Sequence, residues 1–96
     1  MSLSTARKQI DAIDQRLVEL LAQRQSVVDD ISAVKAASDR NVRDPEREVQ
    51  LLTRLRDHAE RAGVPPDLVE SIYETILEHS VERQQMQRRD SGSLAA

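Results

Sequence analysis

Ninety-six residues suffice for one small domain, and a chain of that length buries only a modest fraction of its surface when it folds alone. Phe and Trp are absent and there is a single Tyr, so a core has to come from Leu, Ile, Val and Ala, while the absence of Cys excludes disulfides and thiolate metal sites. The 14 basic and 17 acidic residues are interleaved to a net charge of −3, which leaves no basic stripe for nucleic acid, and no apolar run approaches the roughly 20 residues of a membrane span.

The polar opening MSLSTARKQID lacks the apolar core of a signal peptide, and the protein is expected to be soluble and cytoplasmic. From about Ser4 to about Ala37 there is neither Gly nor Pro. Ile10, Ile13, Leu17, Leu20, Leu21, Val27, Val28, Ile31 and Val34 keep helical spacing throughout, which predicts one uninterrupted helix. Such a helix spans ~50 Å, whereas a compact domain of this size has a radius of gyration of only ~13 Å. One end must project from the chain's own fold with its apolar stripe uncovered. A two-fold homodimer with the first helices running antiparallel is the expected solution.

Residues 38 to 44, SDRNVRD, form a polar connector that ends on Asp44-Pro45, a helix-start pair: Asp caps the free amides, and Pro at the first helical position gives up no partner. The second helix runs from Pro45 to about Ala62 and stops at Gly63. Pro65 and Pro66 open a third, which carries Leu68, Val69, Ile72, Tyr73, Ile76, Leu77 and Val81 inward and fades near Arg88. The expected fold is therefore all-α, three helices per chain in an intertwined dimeric bundle, with one domain over residues 1–90 and a frayed tail over 91–96.

Several charges lie where the apolar pattern should exclude them. In heptad notation Arg7, Asp14, Leu21, Val28 and Lys35 share one seam column of the first helix, and Ile10, Leu17, Arg24 and Ile31 share the other. A single cation there can snorkel or pair with an acid such as Asp14, but three together are costly to bury without a purpose. Arg24 and Lys35 are 11 residues apart, ~16 Å along the axis, and can converge on a small molecule between them. Arg7 lies 17 residues before Arg24, ~25 Å away, and can join them only from an antiparallel second copy.

The other helices add polar groups. Counting back from Leu51, Leu52, Leu55 and Ala59 places Glu48 and Asp44 at the head of the apolar face of the second helix. Asp44 taken alone is a cap, and Arg47 a solvated or paired charge; Glu48 is the informative member, because capping does not account for it. Ser80 and Gln84 continue the stripe of Val69, Ile72 and Ile76 on the third helix, as satisfied core groups or as donors to a ligand. Together the set offers cations, a neutral amide, a hydroxyl and two carboxylates, which suits a small dianion bearing a hydroxyl group.

Across about residues 5 to 88 the chain resembles the all-helical chorismate mutases. The likeness rests on ARKQIDAIDQRLVELLAQR, on the lysine in AVKAASDRNVRDPERE, on ILEHSVERQQ, and above all on the ordered set Arg7, Arg24, Lys35, Asp44, Arg47, Glu48, Ser80 and Gln84. The resemblance implies an interlocked dimer with two equivalent sites, each completed by an arginine of the other chain. It implies the unimolecular rearrangement of chorismate to prephenate, without a metal or a cofactor. By the same resemblance, Arg7 of the partner and Arg24 would hold the two substrate carboxylates with Ser80 assisting, and Lys35 and Gln84 would donate to the ether oxygen. Glu48, with the Asp44 region, would take the ring hydroxyl and Arg47 would support these acids. His58 and His79 fall outside the set.

Two other readings remain. Isochorismate-pyruvate lyases share the fold, the arginines and the lysine, but typically carry apolar residues where this chain has Asp44 and Glu48. A non-catalytic helical dimer or regulatory domain accounts for the length and the periodicity, and leaves the polar set without a role.

Overall fold

Ser2 begins the first helix by accepting a hydrogen bond from the Thr5 amide on its Oγ, at 3.1 Å, the usual service of a capping serine. The helix it opens, α1, then runs unbroken over Leu3–Ala37, as the lack of Gly and Pro predicts. A computed structural model describes residues 1–37 and 44–95, with side chains over residues 1–34 and 44–87; the connector over residues 38–43 lies outside the described residues. Among the described residues three helices make up the fold, α1, α2 (Pro45–Ala62) and α3 (Pro66–Ala95), so the chain is all-α.

The boundaries of α2 follow from its end residues. Asp44 sits in extended backbone (φ −125°, ψ 91°) and its side chain accepts from the Arg47 amide at 3.1 Å, with Pro45 inside the first turn. At the other end Gly63 adopts φ 78°, a left-handed conformation that L side chains rarely take. There the Gly63 amide donates to the Glu60 carbonyl at 3.2 Å and the Val64 amide to the Ala59 carbonyl at 2.9 Å, closing a Schellman cap. The short turn folds α3 back along α2. Arg56 ties the hairpin by donating to Asp67 at 2.8 Å and Glu70 at 3.0 Å.

α3 continues to Ala95, past Arg88 where the sequence reading let it fade. The apolar stripe does end near Val81, but residues 82–90, ERQQMQRRD, are mostly strong helix formers with no Gly or Pro, and local propensity carries the helix on.

α3 packs more extensively on α2 than on α1. Paired residues on α1 and α3, Arg24 with Ser80 and Asp29 with Arg83, rise together along the sequence, so these two helices run parallel. The chain measures 60 × 27 × 16 Å with a radius of gyration of 17.2 Å, well above the ~12.5 Å of a compact domain of this length. Ala59 is the one buried apolar residue among the described residues, and Ile10, Ile13, Leu17, Val27 and Val34 of α1 are each more than half exposed. No described helix is long and apolar enough to cross a membrane.

Candidate functional site

Arg24 projects from α1 towards α3, where its Nη1 donates to the Ser80 hydroxyl oxygen at 3.1 Å. The Ser80 hydroxyl donates in turn to the Ile76 carbonyl one turn earlier, at 2.9 Å, which fixes its oxygen as an acceptor facing Arg24. The guanidinium also stands over the Tyr73 ring, 5.8 Å from its centroid. A cation on an apolar stripe is thus held by one hydroxyl and one aromatic face, while its remaining N–H groups stay available to a ligand.

Arg24 lines a pocket of about 160 Å³ bordered by residues of all three helices. Asp44, Arg47 and Glu48 enter it from the head of α2, and Ser80 and Gln84 from α3. Val28, Ile31, Leu51 and Leu77 supply apolar wall. Asp44 has two duties, since the carboxylate that lines the pocket also accepts the Arg47 amide. Glu48 follows four residues later on the same face and is half-buried, as an inward carboxylate should be. Gln84 is only 7% exposed, one of two buried polar residues among those described, the other being Ser32.

Six of the eight residues singled out in the sequence therefore line one pocket: Arg24, Asp44, Arg47, Glu48, Ser80 and Gln84. The other two are not brought there. Lys35 belongs to α1, but its side chain lies outside the described residues. Arg7 is exposed near the opposite end of α1 and does not line the pocket. His79 borders a neighbouring cleft, with Arg24, Gln25 and Arg83, and His58 is exposed on α2. Among the described residues no three of His, Cys, Asp and Glu are grouped to hold a metal ion.

Sequence reasoning missed a polar cluster beside the pocket. Arg83 on α3 donates through Nε and Nη2 to the two carboxylate oxygens of Asp29 on α1, at 2.7 and 2.9 Å, and Gln87 adds a third bond to Asp29 at 2.9 Å. The Arg83 hydrogen bond holds the Asp29 carboxyl below the usual aspartate range against a partial desolvation that pushes it up, with Gln87 and the charge of Arg83 lowering it further. The same pairing raises the Arg83 guanidinium. Tyr73 was placed inward correctly, but its place beneath Arg24 depends on how α1 crosses α3, which periodicity does not carry.

What the pocket can do chemically follows from its inventory. Two guanidinium groups suit anionic oxygens, two carboxylates suit a hydroxyl donor, and a neutral amide can donate to an uncharged oxygen. The wall carries no histidine to move a proton.

Known proteins bear on this arrangement. The family model described as Chorismate mutase type II matches residues 6–85. The chain is 31% identical over 78 residues to the chorismate mutase of Methanocaldococcus jannaschii, covering 81% of this chain and 79% of that protein. It is 38% identical over 78 residues to the T-protein of Enterobacter agglomerans and 34% identical over 83 residues to the bifunctional chorismate mutase/prephenate dehydratase of Escherichia coli K12. Those matches take in 81% and 86% of this chain but only 21% and 22% of the two longer relatives. With the matched segment running through all three helices and the whole pocket wall, the chain belongs to the chorismate mutase type II family.

Proposed function

We propose that this chain catalyses the rearrangement of chorismate to prephenate, as one catalytic unit over residues 1–90, in a homodimer whose second copy supplies Arg7. The observation that carries the proposal is the convergence of Arg24, Asp44, Arg47, Glu48, Ser80 and Gln84 on one pocket wall.

In the proposed mechanism Arg24 and the second copy's Arg7 clamp the two substrate carboxylates, with Ser80 keeping Arg24 in place. Fixing both ends of a flexible substrate brings the enolpyruvyl arm over the ring and converts a rare conformer into the bound one. Glu48 and Asp44 accept from the ring hydroxyl, and Arg47 balances their charge. As the ether C–O bond breaks, negative charge grows on the oxygen, and Lys35 and Gln84, as donors to it, would bind the transition state better than the substrate. One C–O bond breaks and one C–C bond forms within a single molecule, so no proton leaves and no nucleophile is needed.

Surface area supports the dimer. The chain exposes 7625 Å², whereas a folded monomer of 10.8 kDa exposes roughly 5,500 Å². The excess, roughly 2,000 Å² per chain, lies in the range that obligate homodimers bury. A pocket of about 160 Å³ is also small against the ~300 Å³ or more of ligand sites, as expected if a second copy supplies further wall.

Loss of chorismate absorbance in the ultraviolet tests the activity. Arg24→Ala should lower turnover by about 10²- to 10³-fold, the usual effect of removing a preorganised donor, while circular dichroism and dimer mass stay unchanged. Turnover of Arg24→Ala near the wild-type rate overturns the site assignment. Release of pyruvate from isochorismate, with chorismate untouched, would identify a lyase instead; Asp44 and Glu48 on the pocket wall argue against that outcome.

A further inference from the structure

α1 and α3 must stay in register for the pocket to exist, because Arg24 comes from one and Ser80 and Gln84 from the other. A slip of one helical turn is ~5.4 Å, enough to take Arg24 well out of reach of Ser80. Within the chain, apolar packing of α1 on α3 offers little resistance to that slip. α1 touches α3 less than α2 does, the most buried described side chain of α1 is Ser32 and not a large apolar residue, and Leu17, Leu20, Leu21 and Ile31 are each more than 40% exposed.

Among the described residues two polar links join the helices directly. One is Arg24 to Ser80, which belongs to the pocket itself. The other is the fork of Arg83 on Asp29, extended by Gln87. A planar guanidinium meeting both oxygens of a carboxylate tolerates little sliding, and the Gln87 bond spans a further turn of α3. Asp29 lies five residues beyond Arg24 on α1, and Arg83 precedes Gln84 on α3. The link therefore sits directly beside the pocket and does not line it.

We propose that the Asp29–Arg83–Gln87 cluster is a positioning device that pins α1 against α3 and so keeps Arg24 opposite Ser80 and Gln84. The inference rests on the activity proposed above. With the Arg83 and Asp29 side chains 48% and 31% exposed, the pair adds little to global stability, and its effect is on the balance between registers. When only a fraction of the unliganded protein holds the competent register, apparent affinity falls by that fraction, and saturating substrate restores the competent form. A positioning defect of this kind raises KM and spares kcat.

The test uses the full chain with Asp29→Ala, Arg83→Met and the double variant, measured by chorismate kinetics and by the Ser80 amide resonance of the unliganded protein. Each single variant should raise KM roughly three- to ten-fold with kcat near wild type, and the double should be no worse than either, since both break one link. The Ser80 resonance should shift or broaden in both singles. If Arg83→Met raises KM while Asp29→Ala does not, Arg83 is a direct substrate ligand and the inference is overturned. A fall in kcat at fixed KM, marking a loss of folded protein, overturns it as well. A wild-type chain without chorismate turnover would remove the activity reading alone; the Ser80 resonance would then decide, and its constancy in both variants overturns the clamp.

Discussion

Gln84 is a polar side chain almost removed from water, on a pocket wall otherwise built from charges, the Ser80 hydroxyl and aliphatic groups. An amide donates at every pH, so turnover limited by its hydrogen bond should be flat through neutrality. A carboxyl in its place donates only when protonated, and burial raises its pKa while the nearby arginines lower it. Gln84→Glu should therefore yield an acid-favoured profile, with activity recovering as pH falls through the new group's pKa. The check is kcat/KM against pH for both proteins, with circular dichroism to exclude acid unfolding; a flat profile at the wild-type rate in Gln84→Glu would detach Gln84 from the breaking bond. Arg24, Glu48 and Gln84 were legible in the sequence because each breaks an apolar rhythm. Asp29 and Arg83 were not, because each looks like an ordinary solvated charge until the crossing of α1 and α3 sets them face to face.

Helix ends were readable wherever a residue has a backbone reason to be there. Asp44-Pro45 and Gly63 mark α2 at both ends because capping and left-handed backbone are local properties. The far end of α3 was not readable: beyond Val81 the packing signal stops while helix propensity continues as far as Arg89. Gly63 allows a test at this scale. A Cβ added there meets nothing within 4 Å, so Gly63→Ala is penalised by its φ of 78° alone. The expected cost is about 1 kcal/mol. At equal protein concentration that corresponds to a melting temperature lower by ~4–8 °C for a domain of this size. The kinetic constants of the folded protein should not change, since the turn is remote from the pocket. An unaltered melting curve would mean that the left-handed cap carries no strain for Ala.

For the whole molecule, the proposed dimer makes each site a joint product of two chains. Arg7→Ala and Arg24→Ala proteins should each be inactive alone, but in a mixed dimer one site receives both lesions and the other neither. Unfolding and refolding an equal mixture should restore about a quarter of wild-type activity, because half the dimers are mixed and each has one intact site of two. Mixtures as inactive as their parents would refute sharing. The near absence of buried apolar side chains in the single chain has a further effect, on how the protein is made. In the proposed dimer a protomer gains its core only against a second copy and cannot finish folding by itself, so the last step of its maturation would be an encounter. The rate of such a step rises with the square of protomer concentration, so newly made chains would meet their best conditions where several are synthesised side by side.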